Sequence, residues 1–387
     1  MGLQIIFWVS VLLIFHSYLF YPLLLKILSS GKKGNQDVYD PQDDLPMVSI
    51  IISAFNEEEV IDEKIRSVFA SSYPQDRLEM LIGSDCSGDN TDSIISNLAN
   101  EFPSLRFFPY KQRRGKQNVV NDLVNESKGS ILILSDANVM FSPGTVFNLV
   151  KHFRNPRIGL VDSNMINRGQ KKEGISIQES SYISREVWIK NMEGRLWGSM
   201  MGPFGGCYAI RRMDYSPVPP NYLVDDFYIN MKVFEQGKMA INDLDATVFE
   251  DVSSDLGVEI RRKTRIATGN FQNLITFYGL LFRKNVGFCF LSHKVIRWFG
   301  PWLIILALLS SLFLATGSIF YLIIFCLQLG LLAIPFLDYF LKKAGIHNRF
   351  LRLITHFYAM NLALMLGFFR VMKPVRSGVW DRTKRNQ

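Results

Sequence analysis

Hydrophobic residues follow two different patterns along the chain. Uninterrupted apolar runs occupy residues 2–25 and 301–336, whereas short apolar runs alternate with amphipathic segments between them. The first run contains no Asp, Glu, Lys or Arg, and His16 is its only side chain that titrates near neutral pH. Its roughly 24 residues at ~1.5 Å each can cross the ~30 Å hydrocarbon layer. It lacks the basic start and the small-residue cleavage site of a signal peptide, so we expect an uncleaved membrane anchor.

The apolar runs near the C-terminus predict further membrane helices. Residues 301–336 are too long for one crossing, and we expect two short spans with a hinge at Thr316, Gly317 and Ser318. A third run, 353–369, has basic residues on both sides, which the positive-inside rule would place in the cytoplasm. This run is therefore either a full span or a re-entrant or interfacial helix.

The first anchor is followed by Lys26, Lys32 and Lys33, which favours a cytoplasmic location for the domain that comes next. Within that domain, the segments 47–55, 78–85, 105–110 and 130–136 are apolar enough to be buried strands. Amphipathic segments with helical spacing separate them. This alternation predicts an α/β fold with a mostly parallel sheet covered by helices on both faces.

Polar side chains follow the predicted strands, and ligands bind at the carboxyl ends of strands in such sheets. The sharpest example is Asp136 and Asn138, one residue apart directly after an apolar strand. Their oxygens suit a hard cation such as Mg²⁺ or Mn²⁺ that also binds phosphates. An ordinary turn, which Asp and Asn also favour, is the alternative.

Composition narrows the classes of partner. A net charge of +8 suits anionic lipid headgroups or an anionic ligand, but the charge is not gathered into one basic, aromatic-rich patch, so no nucleic-acid partner is expected. The four cysteines have neither metal-ligand spacing nor the pattern of a disulfide framework, and we expect free thiols. The mean hydropathy of +0.11 supports a membrane component.

Two further segments carry candidate chemistry. Asp225 and Asp226 precede a helical pattern, and one carboxylate raises the pKa of its neighbour, as a general base near neutral pH requires. N-capping of the helix is the alternative. Arg262 and Arg265 share a face of a predicted amphipathic helix, where they would bind either phosphate oxygens or lipid headgroups.

These segments together resemble the membrane-embedded family 2 glycosyltransferases, the superfamily of cellulose, chitin and hyaluronan synthases. The similarity covers most of residues 47–275 and rests on the segments VSIIISAFNEEEVI, IGSDCSGDNTDSI, RRGKQNVVN, SDANVMFSPG, GPFGGCYAIRR, DDFYINMKVFEQG and EIRRKTRIATGNFQNL. The resemblance implies a GT-A fold and transfer of a sugar, with inversion, from a nucleotide-diphospho-sugar donor, a UDP-sugar in the first instance.

The resemblance also implies roles for individual residues. Asp226 would be the catalytic base beside Asp225, and Asp136 with Asn138 would hold the metal. The expected donor-nucleotide contacts are Ala54, Phe55, Asn56, Glu57, Asp85, Lys116 and Asp136. The expected diphosphate contacts are Arg262, Arg265 and Trp380. The expected acceptor contacts are Gly205, Gly206 and Cys207. A solvated turn for Lys116 and a plain tight turn for the glycines are the alternatives.

The chain departs from the family pattern in two places. The usual Asp-x-Asp is Asp136-Ala137-Asn138, whose amide brings no charge to the metal. The Gln-x-x-Arg-Trp of processive members is replaced around Arg262 and Arg265 by a sequence without Gln or Trp, which offers less to hold a growing polymer.

These expectations divide the chain into an anchor (1–28), a linker (29–46), a cytoplasmic GT-A domain (47–257), interfacial helices (258–297), two or three membrane helices (298–373) and a basic tail (374–387). The expected protein is a multi-pass enzyme of the cell membrane, in a bacterium the inner membrane. It would transfer sugar to a lipid-linked or glycan acceptor in contact with membrane lipids. A membrane-anchored nucleotide-sugar sensor without turnover is the alternative, and the sequence specifies no oligomeric state.

Overall fold

The computed structural model describes residues 1–168, 176–251, 256–346 and 348–373. Its strands form one eight-stranded sheet with the order β3-β2-β1-β4-β7-β6-β8-β5. The strands are β1 Val48–Ala54, β2 Leu78–Asp85, β3 Leu105–Tyr110, β4 Ile131–Ser135, β5 Met140–Phe141, β6 Ile158–Arg168, β7 Cys207–Arg211 and β8 Met239–Asp251.

The sheet has a parallel half and a mixed half. Strands β3, β2, β1 and β4 pair in parallel, as the alternating pattern predicts. Strand β7 is antiparallel to both β4 and β6, β6 pairs with β8 in parallel, and β5 closes the far edge antiparallel to β8. The carboxyl ends of β1, β2 and β4 therefore meet at one edge, next to the chain that enters β7.

Helices cover the sheet and extend beyond it at both ends of the chain. They are α1 Gly2–Phe15, α2 Tyr21–Ser29, α3 Ile61–Phe69, α4 Thr91–Glu101, α5 Lys116–Glu126, α6 Thr145–Val150, α7 Ser176–Trp197, α8 Asp225–Glu235, α9 Leu256–Thr276, α10 Lys284–Cys289, α11 Ile296–Trp298, α12 Gly300–Leu314, α13 Ile319–Lys343 and α14 Arg349–Val371. Single π-helical segments, His16–Phe20 and Phe290–Val295, join α1 to α2 and α10 to α11.

The apolar strands are buried because both faces of the sheet carry helices. Ile50 and Ile52 of β1 pack in one hydrophobic cluster with α3 and α4, while Ile51 points the other way into a second cluster with α5 and α8. All three side chains are at most 1% exposed. Burial on both faces explains why these strands are continuously apolar rather than alternating.

A loop separates the end of β1 at Ala54 from the start of α3. The backbone N–H groups of Glu57 and Glu58 donate to Thr91 Oγ1 and Asp89 Oδ2, at 2.8 and 3.2 Å. These bonds hold the residues after β1 as a loop against the start of α4, so the helix begins only at Ile61.

Among the described residues, three helical segments are long and apolar enough to cross a membrane: Gly2–Ser29, Ile319–Lys343 and Arg349–Val371. A fourth candidate is the pair Lys284–Trp298 and Gly300–Leu314, which bends by 61°. Residues 301–336 divide between α12 and α13, with the break at 315–318 as the sequence predicts. The run 353–369 lies in one continuous helix, so the structure offers no support for a re-entrant loop there.

A buried carboxylate joins the first apolar helix to the sheet domain. Glu193 of α7 is fully buried and accepts hydrogen bonds from the Tyr21 hydroxyl at 2.7 Å, from Met201 N at 3.0 Å and from His293 Nδ1 at 2.9 Å. These partners come from α2, from the chain before β7 and from the π-helical segment 290–295. Glu193 therefore fixes the N-terminal helix and the interfacial helices to α7.

We predict that Glu193→Gln lowers the melting temperature of the detergent-solubilised protein. The amide removes the charge that faces His293, and it cannot accept from all three donors, which costs about 2 kcal/mol or more. Glu235→Gln is the control, because Glu235 forms an exposed pair with Lys232 that contributes little. Equal melting temperatures for the two variants would contradict this role of Glu193.

Candidate active site

A cavity of about 1020 Å³ opens at the carboxyl ends of β1, β2 and β4. Its wall includes Phe55 and Glu57 after β1, Asp85 at the end of β2, and Asp136 and Asn138 after β4. The volume is at the upper end of the range for small-molecule and cofactor sites. Residues far apart in sequence thus meet around one space large enough for a nucleotide-sized ligand.

Asp85 organises one end of the cavity. It is 2% exposed and accepts hydrogen bonds from Arg114 N at 2.6 Å, Gly115 N at 3.0 Å and Arg113 Nε at 3.2 Å. The Arg113 guanidinium lies 3.4 Å from the centre of the Phe55 ring, within cation–π range. Asp85 therefore fixes the turn that leads into α5.

The residues predicted to bind the donor nucleotide do not all reach the cavity. Phe55, Glu57, Asp85, Lys116 and Asp136 line it, whereas Ala54 and Asn56 do not. Ala54 is fully buried at the end of β1. Asn56 has a left-handed backbone (φ 54°), and its side-chain oxygen accepts from Gly88 N at 2.8 Å. The side chains of Ala54 and Asn56 therefore shape the loop after β1 and do not line the cavity, and their contact with the nucleotide stays a prediction.

Lys116 connects two carboxylate loops. Its Nζ lies 2.7 Å from Asp136 Oδ1 and 3.6 Å from Asp225 Oδ2. Burial lowers the pKa of Lys116, but the attraction of Asp136 and Asp225 outweighs burial and raises it above its ordinary value. The ammonium is therefore charged at neutral pH. The turn that precedes α5 holds it in the cavity wall rather than in bulk solvent.

Asp226 is the carboxyl group best suited to exchange a proton. Burial and the neighbouring Asp225 raise its pKa to about 7, although Oδ1 accepts a 2.7 Å hydrogen bond from Phe227 N. Asp225 and Asp226 are the first two residues of α8, whose N-cap position is Val224. Both line the cavity, and the Phe227 N–H that Asp226 accepts belongs to the first turn of this helix.

Asp136 and Asn138 have the oxygen chemistry that a hard cation prefers. Asn138 Nδ2 donates to Glu250 Oε1 at 3.3 Å, and all three side chains line the cavity. Among the described residues, no group of three or more His, Cys, Asp or Glu side chains could hold a metal. These residues fit Mg²⁺ or Mn²⁺ only as a shared site, in which phosphates and water supply the remaining ligands.

The segment before β7 divides between the cavity and the core. Gly205 and Gly206 line the cavity, and a Cβ added at Gly205 would lie 2.7 Å from Asp226 Oδ2. Cys207 is fully buried in β7 and does not line the cavity. Strand alternation turns the Cys207 side chain into the core, so its acceptor-binding role stays a prediction without a cavity contact.

Arg262 and Arg265 of α9 both line the cavity. Arg262 Nη1 lies 3.3 Å from Glu259 Oε1; burial lowers the pKa of Arg262, but Glu259 and other carboxylates outweigh burial and raise it. Both arginines thus face the same space as the carboxylates. The predicted diphosphate contact of Trp380 lies outside the described residues.

Lys64 is a functional candidate that the sequence motifs do not reveal. It is fully buried on α3, and its Nζ donates to Ser135 Oγ at 2.8 Å and to Val139 O at 2.5 Å. These two acceptors flank Asp136 and Asn138, so Lys64 holds the loop that carries them. Its one sequence signal is position: it lies three residues after Ile61, on the apolar face of the helix.

A second buried pair supports the glycine segment. Lys190 Nζ lies 2.5 Å from Asp162 Oδ2 and 3.7 Å from the centre of the Phe204 ring, while Asp162 Oδ1 accepts from Phe204 N at 3.2 Å. Asp162 on β6 and Lys190 on α7 therefore fix the backbone directly before Gly205. Neither residue belongs to a motif quoted from the sequence.

A sheet whose strand ends present carboxylates and an ammonium around a nucleotide-sized cavity defines an α/β domain of the class that binds phosphorylated nucleotides. Residues 49–217 match the model of the family described as glycosyl transferase family 2. The resemblance to family 2 glycosyltransferases is confirmed over this part of the chain.

The relatives agree with this family. The chain is 22% identical over 253 residues to the β-monoglucosyldiacylglycerol synthase of Trichormus variabilis. The matched residues are 64% of this chain and 53% of that protein. It is 25% identical over 193 residues to the poly-β-1,6-N-acetyl-D-glucosamine synthase of Staphylococcus epidermidis, which covers 46% of each. The chain spans about half the length of these curated relatives.

A solved structure extends the likeness to nearly the whole chain. The mannosyltransferase PcManGT from Pyrobaculum calidifontis, in complex with GDP-Man and Mn²⁺, aligns with a TM-score of 0.70 at 20% identity. The alignment covers 95% of this chain and 99% of that one. The prediction of an α/β GT-A fold with apolar helices at both ends is confirmed.

We predict that Lys64→Met weakens Mn²⁺ binding measured in the presence of nucleoside diphosphate, by electron paramagnetic resonance of free Mn²⁺. Without the ammonium, Ser135 Oγ and Val139 O lose a donor, and loop strain of about 1–3 kcal/mol would lower metal affinity about tenfold. Arg66→Met, an exposed change on the same helix, should leave affinity unchanged. Unaltered Mn²⁺ affinity in a folded Lys64→Met protein would refute this role.

Proposed function

We propose that the protein is an inverting, metal-dependent glycosyltransferase. It moves a sugar from a nucleotide-diphospho-sugar, a UDP-sugar in the first instance, to a lipid-linked or polysaccharide acceptor at the cytoplasmic face of the membrane. The observation that carries the proposal is the single cavity that brings Asp85, Asp136 and Asp226 together. The family 2 domain and the nucleotide sugar bound by PcManGT support the same class of donor.

The donor would bind along the strand ends. The shelf formed by Phe55 and Arg113 offers a surface for the base, and Asp85 holds that shelf in place. Lys116, Arg262 and Arg265 would face the diphosphate, where guanidinium and ammonium groups stabilise oxyanions. A cation bound at Asp136 and Asn138 would supply further neutralisation of the diphosphate charge.

Asp226 would act as the general base in a single displacement. The acceptor hydroxyl oxygen forms the new bond to the anomeric carbon, its proton passes to Asp226, and the bond to the diphosphate oxygen breaks with its electron pair on the leaving group. One displacement inverts the anomeric carbon and needs no nucleophilic side chain. The absence of a side chain at Gly205 leaves room beside Asp226 for the acceptor.

The membrane helices support an acceptor that is delivered at the bilayer. Three helices of the described residues are apolar enough to span it, and α14 and the π-helical segment 16–20 contribute residues to the cavity wall. The lysines after α2 favour a cytoplasmic domain. The inner membrane of a bacterium is the location that we propose.

Asp226→Asn tests the assignment of the base. We expect release of nucleoside diphosphate from a panel of nucleotide sugars to fall by about 10²–10⁴-fold, while donor binding survives. Asp62→Asn, an exposed carboxylate change on α3, is the control. Turnover that persists in Asp226→Asn would refute the base, and a wild-type protein that binds donor without turnover would favour the sensor.

The pH profile tests the environment of Asp226. The base must be deprotonated, so kcat/KM should rise with pH through about 7. Asp225→Asn removes a neighbouring negative charge, makes protonation of Asp226 less favourable and should move the midpoint to lower pH. Burial, the larger cause, should still keep the midpoint above that of an ordinary aspartate. A midpoint that stays in place or moves upward would contradict the assignment.

A further inference from the structure

The cavity has a second end that lies among the candidate membrane helices. Tyr18 of the π-helical segment 16–20 lines it, together with one face of α14. The α14 residues recur at intervals of one or three along this face: Leu353, His356, Phe357, Met360, Asn361 and Leu364. We call this end, together with Arg185, Glu186, Lys294 and Arg297, the membrane-side chamber.

The charges of the membrane-side chamber are unbalanced. Lys294 Nζ lies 2.9 Å from Glu186 Oε2, and Arg297 Nη1 donates to Glu186 Oε1. Arg185, on the same wall, donates to the backbone oxygen of Tyr18 rather than to a carboxylate. Three cationic side chains therefore share one cavity-lining carboxylate, and the chamber carries excess positive charge.

The neighbouring ion pairs do not remove this excess. Lys190 is paired with Asp162, Lys263 with Glu179, and Arg262 with Glu259. His293 lies behind Glu186 and also contacts Glu193. Each of these carboxylates thus already has a cationic partner or a histidine. The positive charge that Arg185, Lys294 and Arg297 carry in excess of Glu186 remains for a ligand.

Arg297 also has an unused donor. The side chain is 8% exposed, and its Nε has no hydrogen-bond partner among the described residues. A buried polar group without a partner is costly, and a guanidinium edge matches two oxygens of a phosphate. This orphaned N–H is independent of the charge count and indicates an oxyanion.

The surroundings of Arg297 are apolar. The Tyr18 ring lies 5.3 Å from its guanidinium and 5.6 Å from the Phe357 ring, and Met360 and Leu364 continue the wall along α14. An anionic group beside an apolar helix face fits an amphiphile, with the charged group at the arginines and the chain along α14. A free sugar or an uncharged polymer would leave the excess positive charge of the chamber uncompensated.

We propose that the membrane-side chamber binds the phosphate or diphosphate of a lipid-linked acceptor, with Arg297 and Arg185 as its main ligands. The inference rests on the proposed function and narrows its acceptor to a lipid that carries phosphate. The phosphate is the anchoring group rather than the reacting one. It holds the acceptor in the same cavity as Asp226, where the sugar is added to a hydroxyl.

The test is binding to the full-length protein in detergent, measured by native mass spectrometry and thermophoresis. The probes are a polyprenyl phosphate, the matching polyprenol, phosphatidylglycerol and inorganic phosphate. We expect the polyprenyl phosphate to bind about tenfold or more tightly than each of the other three. Equal binding of the polyprenol or of inorganic phosphate would overturn the proposal, and equal binding of phosphatidylglycerol would overturn the acceptor assignment.

Matched variants separate the site from general charge. Arg185→Gln, which leaves both Glu186 ion pairs in place, and Arg297→Gln should each weaken the polyprenyl phosphate about tenfold. Arg370→Gln removes an exposed charge from the end of α14, outside the cavity, and should have no effect. Equal weakening by Arg370→Gln, or none by Arg185→Gln, would overturn the proposal.

The same assay distinguishes this inference from the proposed function. Asp226→Asn should bind the polyprenyl phosphate as well as the wild type does, because the chamber does not depend on turnover. Binding that survives without any donor turnover would refute the glycosyltransferase and leave the lipid site. Turnover of the donor with no preference for the phosphorylated lipid would support the glycosyltransferase and refute the lipid phosphate site.

Discussion

Lys116 stands between two carboxylate loops that would otherwise repel each other. Asp136 follows β4 and Asp225 begins α8, and both carboxylates lie within 4 Å of the same ammonium. Asp226 lies in the same wall, where its Oδ1 accepts a hydrogen bond from Phe227 N. Concentrating three carboxylates in a buried cavity raises their energy unless a cation is fixed among them. The arrangement of the site therefore depends on the turn that positions Lys116 at the start of α5.

Lys116 does not fully balance the negative charge of the three carboxylates, and this leaves Asp226 able to exchange a proton. Lys116 lies close to Asp136 and Asp225, but it contributes less to Asp226, whose pKa burial and Asp225 hold near 7. A carboxyl group in that state can accept a proton at neutral pH and release it again. The Lys116 ammonium would also face the diphosphate, so the group that stabilises the carboxylates would also bind the donor.

Much of this architecture could be predicted from the sequence. The first four strands and their polar ends follow from continuous apolar segments, and Asp85, Asp136 and Asp226 were all expected at the site. Local patterns do not encode which way a strand runs, so the antiparallel β7 and the burial of Cys207 were not predictable from motifs. The roles of Lys64 and of the pair of Asp162 with Lys190 could not be predicted from the sequence, because they depend on contacts with residues distant in sequence.

The amide of Asn138 has a physical explanation in its neighbour. Glu250 of β8 lies 3.3 Å from the Asn138 nitrogen and accepts its hydrogen bond. A second aspartate at position 138 would place two carboxylates at that distance in the cavity wall, where they would repel each other. Asn138 therefore keeps an oxygen for a ligand while its nitrogen binds Glu250. The negative charge that the Asp-x-Asp pattern would place at residue 138 is supplied by Glu250, a residue more than a hundred positions further along the chain.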